Sequence, residues 1–251
     1  MTEMTDARGQ ALTFASPFQR IVSLVPSQTE FLIEIGAQVI GRTRFCIHPS
    51  ERVAEIAIVG GTKDFSLEKI RALQPDLVNA NLEENHETLL ELEDQIPVWT
   101  SAVSDLPQAL QMMRDLGALS GCQPQAHQIV TAIEKSFAKL LPQARRSCLY
   151  LIWRQPWMSV GTDSFLHDLL QRAGLDNLIQ TTRYPQLSDQ QIQALQPELI
   201  LLSSEPYPFA AKHIAEIQQL CPQAEVRLVD GELFSWYGSR LLKSALYLQQ
   251  L

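Results

Sequence analysis

A thirteen-residue segment occurs twice in this chain, and the repeat constrains the fold more than any other feature. S-L-E-K-I-R-A-L-Q-P-D-L-V begins at Ser66, and S-D-Q-Q-I-Q-A-L-Q-P-E-L-I begins at Ser188. Each copy has the pattern of an amphipathic helix, then Gln-Pro, then a short apolar strand. Because proline breaks a helix and moves the preceding residue out of the right-handed helical region, each copy predicts a helix-to-strand corner. Two such corners predict two lobes of similar design, with a ligand cleft between them.

Apolar strands alternate with helical segments along the rest of the chain, which indicates an α/β fold with parallel sheets. Among these segments we predict a helix that begins at Thr29 and a helical segment from residue 83 to residue 95. From residue 124 to residue 141, apolar residues recur at the spacing of one helix face, and Pro124 suits the first turn. We interpret this stretch as one long helix that connects the lobes. The predicted organisation is a polar N-terminal extension (1–19), an N-terminal α/β lobe (20–122), the connecting helix (123–142) and a C-terminal α/β lobe (143–251).

Charge and composition exclude several classes of protein. A net charge of −8 argues against binding to nucleic acid or to an anionic membrane surface. No apolar run is long enough to predict insertion into a membrane. The N-terminal M-T-E-M-T-D-A-R-G-Q has no apolar core of a secretory signal, and the four cysteines are scattered. We therefore predict a cytoplasmic protein, which would be periplasmic only if the start codon is mis-assigned.

The loops expected at the carboxyl ends of the strands are rich in aromatic residues. Ligands of parallel α/β sheets bind at these ends, and aromatic faces suit a large, flat or apolar ligand. The alternative is that the rings seal the ends of the lobes against each other. The residues predicted to bind ligand are Pro26, Ser27, Phe45, Cys46, His48, Glu84, Trp153, Tyr184, Glu205, Tyr207, Trp236, Tyr237 and Arg240.

A second hypothesis concerns the loop C-I-H-P. Cys46 and His48, together with Glu83, Glu84 or His86, are residue types that bind zinc or a similar ion. The chain would then be a cytoplasmic metal-dependent enzyme or metal-binding protein. The alternative is that Cys46 is simply a small buried residue. The sequence contains no hydrolase, metalloprotease or phosphate-loop motif, so we predict no catalytic residue, no required cofactor and no enzyme activity.

The order of several motifs resembles the class III periplasmic solute-binding proteins, the helical-backbone metal-receptor superfamily, and among them the cobalamin-binding members. The resemblance extends from about Arg20 to the C-terminus. It is carried by R-I-V-S-L-V-P-S-Q-T-E, both copies of the repeat, the connecting helix, R-Y-P-Q-L-S-D-Q-Q-I and D-G-E-L-F-S-W-Y-G-S-R. It implies two Rossmann-like lobes joined by a single helix. By position, the ligand contacts would be Pro26, Ser27, Phe45, Trp153, Tyr184, Trp236 and Arg240.

The resemblance also implies a function. The chain would clamp a metal-bearing or tetrapyrrole-like ligand between its lobes and would work with an ABC-type importer. The ligand would be a corrinoid such as cobalamin, or else haem or a ferric siderophore. Relatives carry an acidic residue on each lobe that engages arginines of the permease. Glu68 matches the first of these positions, whereas Gln190, next to Asp189, stands at the second. A third hypothesis is therefore a partner protein that uses its outer surfaces and no ligand.

Overall fold

The computed structural model describes residues 1–85, 87–141 and 144–251, except for the side chain of Leu90. Within these ranges the chain forms two compact units, and each unit is assembled from segments that are not contiguous in the sequence. Unit 1 comprises Met1–Val103, Pro107–Glu134 and Tyr237–Ser239. Unit 2 comprises Ser104–Leu106, Lys135–Trp236 and Arg240–Leu251.

The N-terminal residues of unit 1 form a hairpin of two strands, β1 (Thr2–Thr5) and β2 (Ala11–Phe14). Asp6 lies at the turn and is buried. Its carboxylate accepts hydrogen bonds from the backbone N–H groups of Arg8, Gln10 and Thr100, at 2.9, 3.0 and 3.2 Å. Because a buried carboxylate is stable only when its oxygens are paired, these bonds hold the hairpin against the edge of the main sheet.

The main sheet of unit 1 is parallel, and its strands follow the order β5-β4-β3-β6-β7. The chain runs from β3 to β4 on one side and later to β6 on the other, so the topological switch point lies between β3 and β6. In open α/β sheets this is the place where ligands bind. The strands are β3 (Ile21–Ser23), β4 (Val39–Thr43), β5 (Ala57–Gly60), β6 (Leu77–Asn81) and β7 (Val98–Ser101).

Helices complete unit 1, and one side of the sheet packs on a core that includes Val22, Val78 and Ile70. A 3-10 helix also occurs at Glu87–Leu92. The last helix, α5, begins in unit 1 and continues into unit 2. The α-helices are α1 (Pro26–Glu34), α2 (Ser50–Val53), α3 (Leu67–Ala72), α4 (Leu106–Ser120) and α5 (Gln123–Phe137).

The sheet of unit 2 is mixed, with the order β11-β9-β8-β12-β13 and with β10 also paired to β8. Strands β10 and β12 run parallel to β8 and β13 runs parallel to β12, whereas β9 is antiparallel to β8. The strands are β8 (Arg146–Trp153), β9 (Trp157–Ser159), β10 (Leu175–Asn177), β11 (Gln186–Leu187), β12 (Leu199–Ser203) and β13 (Glu225–Val229). The helices are α6 (Phe165–Arg172), α7 (Asp189–Leu195), α8 (Ala211–Leu220), α9 (Gly231–Ser235) and α10 (Leu241–Leu248).

The two repeat copies form the same helix-to-strand corner, as the sequence predicts. Ser66 and Ser188 cap α3 and α7, because each side-chain oxygen accepts a hydrogen bond from the backbone N–H three residues later. The glutamines before the prolines, Gln74 and Gln196, have φ angles of 47° and 46°. They therefore avoid the right-handed helical region, as expected before proline, by adopting the left-handed one.

The acidic residue of each copy has the same structural role. The carboxylate of Asp76 accepts hydrogen bonds from the backbone N–H groups of Gln19 and Arg20, at 2.7 and 2.8 Å. The carboxylate of Glu198 accepts from the backbone N–H of Ser147, at 2.7 Å, and from its hydroxyl, at 2.9 Å. In each unit the acidic residue before one strand thus holds the start of the neighbouring strand, β3 or β8.

The predicted fold class is confirmed: the protein is α/β, with two lobes built on parallel strands. Two local predictions were wrong, and one helix was not predicted. Helix α1 begins at Pro26 rather than Thr29, since proline is well suited to the first helical position. The segment 83–95 contains a turn and a 3-10 helix rather than an α-helix, and α4 has no counterpart in the prediction. None of the helices in the described ranges combines the length and apolarity needed to span a bilayer.

Candidate functional site

Buried polar side chains of unit 1 meet at the carboxyl ends of β3, β6 and β7, beside the switch point. The Gln28 amide donates to Ser101 Oγ at 2.7 Å and accepts from Asn79 Nδ2 at 2.8 Å. Asn79 also donates to Ser23 Oγ at 3.2 Å, and Asn81 donates to Ser101 Oγ at 3.3 Å. Such a network fixes the strand ends rigidly, because each buried polar group would be costly without its partners.

The loop after β6 is held by Asn85. Its side-chain oxygen accepts from the backbone N–H of Asn81 at 2.8 Å, and its amide donates to the carbonyl of Thr62 at 2.9 Å. This loop carries Glu84, whose carboxylate accepts a hydrogen bond from the Tyr237 hydroxyl at 2.5 Å. Two predicted ligand residues that are 153 positions apart are thus joined within unit 1.

The Cys46 and His48 loop does not form a metal centre among the described residues. The Cys46 thiol is fully buried, 3.1 Å from both Thr29 Oγ1 and Thr43 Oγ1. Burial raises the pKa of the Cys46 thiol, which disfavours the thiolate that binds metals. His48 is partly buried, and His86 lies outside the described residues. Across the described ranges, His, Cys, Asp and Glu side chains form no group of three that could hold a metal ion.

The other predicted residues of unit 1 differ in exposure. Pro26 is partly buried at the first position of α1, and Ser27 is buried beside it. Phe45, which follows β4, keeps 49% of its surface exposed. The guanidinium carbon of Arg44 lies 5.1 Å from the centre of the Phe45 ring. Phe45 is therefore an accessible apolar face with a cation beside it.

Unit 2 has a comparable surface at the end of β8. Trp153 is 40% exposed, and its ring meets the Tyr207 ring edge-on with centroids 5.7 Å apart. Tyr207 in turn packs against buried Phe209, at 4.8 Å. Tyr184 is partly buried, and the guanidinium carbon of Arg183 lies 5.9 Å from its ring centre. Tyr207 thus packs against the Trp153 ring, and part of the surface of Trp153 remains accessible.

Trp236 and Glu205, by contrast, are engaged with each other. Trp236 is only 8% exposed, and its indole N–H donates to Glu205 Oε1 at 2.9 Å. The Ser235 hydroxyl donates to the same oxygen at 2.7 Å. Burial, with a smaller contribution from the nearby Glu232 carboxylate, raises the pKa of Glu205. Arg240 pairs with Glu232 at 2.8 Å and lies over the Trp236 ring at 4.8 Å.

Each unit thus carries a surface that is suited to binding. Phe45 and Trp153 offer apolar faces, and guanidinium groups accompany the rings of Phe45 and Tyr184. Exposed rings with adjacent cations fit flat ligands that carry electron-rich or anionic groups. The sequence did not single out Gln28 or Asn79, although polar residues at the ends of apolar strands, as in L-V-N-A-N, were an available signal.

The two predicted permease-docking positions are equivalent in the structure. Glu68 and Gln190 each occupy the second residue of a repeat helix, α3 or α7, and both are exposed. Asp189 precedes Gln190 and accepts a hydrogen bond from the indole N–H of Trp157 at 2.7 Å. Only one oxygen of Asp189 takes part in this bond, so the carboxylate still presents a negative charge at the start of α7.

Comparison with known proteins shows which family and which relatives this chain resembles. Residues 21–221 match the family model described as "Periplasmic binding protein". The chain is 26% identical over 242 residues to the vitamin B12-binding protein of Pectobacterium carotovorum subsp. carotovorum (strain PC1), covering 90% of this chain and 86% of that protein. It is 26% identical over 215 residues, 78% of this chain and 67% of the relative, to an uncharacterized ABC transporter substrate-binding lipoprotein of Bacillus subtilis (strain 168).

Among solved structures, the fold matches the periplasmic heme-binding protein RhuT of Roseiflexus sp. RS-1 in its apo form. The TM-score is 0.81 at 20% sequence identity, and the match covers 92% of this chain and 97% of that chain. At this identity the likeness shows the fold. The predicted resemblance to class III solute-binding proteins, with cobalamin-binding members among the relatives, is confirmed.

The prediction of a cytoplasmic location was wrong. The matching family and the solved relative are periplasmic, and the Bacillus subtilis relative is a lipoprotein, so the comparisons point to a location outside the cytoplasm. The prediction relied on the polarity of ten N-terminal residues and on cysteine spacing. Neither the polarity of those ten residues nor the cysteine spacing determines the fold. Both are therefore weaker evidence about location than the similarity to the relatives.

The same comparisons bear on the general class of function. The relatives are named as binding proteins or substrate-binding proteins of transporters rather than as enzymes, which fits the expectation that this chain binds a solute. The family model covers most of the chain, from the first strand of the main sheet of unit 1 through helix α8 of unit 2. The chain therefore belongs to the periplasmic binding protein family.

Proposed function

We propose that this chain is the solute-binding component of an ABC-type importer and that its solute is a large, flat metal chelate. The candidates are a corrinoid such as cobalamin, haem and a ferric siderophore. The observation that carries the proposal is the exposure of Phe45, which follows β4, and of Trp153, the last residue of β8. Ligands of α/β sheets bind at the carboxyl ends of the strands, so exposed rings at these ends are suited to ligand contact.

The relatives support this ligand class. One is named for vitamin B12 and one for heme, and both of these ligands are metal chelates with a broad, largely apolar ring. Aromatic side chains provide contact area for such a ring at a low cost in conformational entropy, since only two side-chain torsions become fixed. The guanidinium group of Arg183 would pair with polar substituents at the edge of the ring, whereas that of Arg44 already pairs with the Asp64 carboxylate at 2.6 Å.

The test is a tryptophan-fluorescence titration of the purified protein with cyanocobalamin, dicyanocobinamide, haemin and a ferric hydroxamate siderophore. We expect saturable quenching at micromolar or lower concentration by at least one of them. Trp153→Ala should then raise the Kd for that ligand about tenfold, because the stacking contact is lost. Leu246→Ala, which shortens another exposed apolar side chain, is the matched control and should leave the Kd unchanged. Absence of quenching by all four ligands would contradict the proposal.

A further inference from the structure

The hydroxyl group of Tyr207 has an unusual set of neighbours in unit 2. Tyr207 lies in the loop after β12 and is partly exposed, with its ring between Trp153 and Phe209. Its oxygen lies 3.3 Å from Nε2 of His213, which is 4% exposed on α8. The direction of this hydrogen bond follows from the other nitrogen of the same imidazole.

The backbone N–H of Ala210 donates to Nδ1 of His213 at 2.9 Å. A backbone amide can only donate, so Nδ1 carries no proton in this arrangement. The neutral imidazole then carries its proton on Nε2, and the tautomer is set by the bond that the other nitrogen makes. His213 therefore donates to Tyr207, and the phenol oxygen accepts.

Tyr207 thus accepts a hydrogen bond from His213 and keeps its own proton. Among the described residues, no side chain or backbone group accepts that proton. The phenol therefore has a donor that a ligand at Trp153 can use.

The charge near Tyr207 is balanced. Arg154 forms a two-pronged ion pair with Glu216, with Nε–Oε2 and Nη2–Oε1 distances of 2.8 Å each. The positive charge next to the phenol is therefore already matched by a carboxylate. A ligand carboxylate brought to Tyr207 would lose hydration without gaining an uncompensated cation, whereas an uncharged acceptor would lose far less.

We infer that the Tyr207 hydroxyl recognises an uncharged hydrogen-bond acceptor, such as an amide carbonyl, on a ligand that packs against Trp153. This inference rests on the proposed function and narrows its ligand class. Among flat metal chelates, it favours those whose edge carries carboxamide groups over those whose edge carries carboxylates. His213 acts as a positioning residue, because its N–H bond to the phenol oxygen directs the phenol proton away from the imidazole.

The test measures the Kd for two corrinoids with the same ring and metal, dicyanocobinamide, which carries amides, and dicyanocobyrinic acid, which carries carboxylates. We expect the wild-type protein to prefer the amide ligand. Tyr207→Phe keeps the ring but removes the donor, so its Kd for dicyanocobinamide should rise about 3- to 10-fold while the preference for amides decreases. Tyr247→Phe is the matched control, since its hydroxyl accepts from the Asp230 N–H, and its affinity should equal that of the wild type.

Equal affinities of the wild type and Tyr207→Phe for dicyanocobinamide, or a wild-type preference for the carboxylate ligand, would overturn the inference and leave the proposed function intact. Failure of the wild type to bind any of the chelates would contradict both. If Tyr207→Phe does not fold, as judged by circular dichroism, 3-fluorotyrosine at position 207 retains the ring and the hydrogen bond accepted from His213. As a stronger donor it should lower the Kd for dicyanocobinamide, and an unchanged Kd would again overturn the inference.

Discussion

At the scale of single residues, Gly231 shows how closely the chain packs around the partly buried Glu205 of unit 2. A Cβ atom at this position would lie 2.5 Å from both Glu205 Cγ and Ser203 Oγ, and 2.9 Å from the backbone nitrogen of Glu205. These contacts are shorter than any real Cβ makes. Ser203 is itself fixed, because its hydroxyl accepts from Tyr150 at 3.1 Å and donates to the Glu205 carbonyl at 2.5 Å. The start of α9 can approach this loop only because residue 231 has no side chain.

Gly231→Ala should therefore lower the free energy of unfolding by about 1–3 kcal/mol, the usual cost of overpacking. For a chain of this length that corresponds to a fall in Tm of about 3–10 °C. Thermal unfolding followed by circular dichroism measures the effect. The added methyl group would displace Glu205, whose carboxylate accepts a hydrogen bond from the Trp236 indole N–H. The fluorescence maximum of Trp236 should therefore shift. A Tm within 1 °C of the wild-type value would show that the loop adjusts without cost.

The aromatic residues show why the candidate site was only partly predictable from the sequence. Their positions at or near strand ends could be predicted: Phe45 follows β4, and Trp153 is the last residue of β8 rather than a loop residue. Both are accessible. Trp236 follows the same kind of pattern but is buried, because its indole N–H is paired with Glu205, 31 residues away. Exposure depends on partners that are distant in the sequence, so a single local pattern does not distinguish an accessible ring from a packed one. Whether each predicted residue binds ligand stays a prediction.

At the scale of secondary-structure elements, the repeated corners are stabilised by their acidic residues. Hydrogen bonds from the backbone N–H and, in addition, from the hydroxyl of Ser147 lower the pKa of the Glu198 carboxyl below its ordinary value. Since the folded pKa lies below the unfolded one, the stabilisation is fully present above about pH 4.3 and is lost as the pH falls through the folded pKa. Glu198 thus makes the attachment of β8 to β12 sensitive to acid.

Glu198→Gln should remove this contribution, because an amide oxygen is a weaker acceptor than a carboxylate and does not titrate. We expect a lower Tm than that of the wild type at pH 7, and a difference that shrinks as the pH falls towards 3. Thermal unfolding followed by circular dichroism at several pH values measures this difference in Tm. Glu55→Gln, an exposed residue before β5, serves as the control and should show no such dependence. A difference in Tm that does not change with pH would show that the charge of Glu198 is not its cause.

Elements were predictable where local chemistry specifies them. Both repeat corners follow from a serine cap and a Gln-Pro pair, and both form as expected. The segment 83–95 was wrongly predicted as an α-helix because its turn is specified by Asn85, whose side chain bonds backbone groups of Asn81, Thr62 and Leu24. Such bonds across the fold compete with helix formation and leave no periodic signal in the sequence.

At the scale of the whole molecule, the repeat determines how the chain would meet a transporter. The second residues of α3 and α7 are equivalent, but one is Glu68 and the other Gln190. A partner that carries an arginine for each lobe would find a carboxylate at the first position and, at the second, only Asp189, which also accepts from Trp157. We therefore expect the two lobes to contribute unequally to binding of the permease.

Glu68→Arg should reduce uptake of the ligand by cells that produce the cognate importer about tenfold or more, because like charges then meet in the interface. Its Kd for the ligand should not change. Gln190→Glu should have the opposite effect on uptake. Glu34→Ala, an exposed carboxylate at the end of α1, is the control. Wild-type uptake by Glu68→Arg would show that this carboxylate does not meet the permease.

The division of unit 1 into segments has a consequence for how the protein is made. Unit 1 contains nearly all of its residues before position 135, yet it also includes Tyr237–Ser239, and the Tyr237 hydroxyl bonds Glu84. During translation those three residues leave the ribosome about a hundred residues after the rest of unit 1. The nascent N-terminal lobe therefore lacks this contact until those further residues have been synthesised. Expressed alone, the fragment 1–134 would remain in that incomplete state.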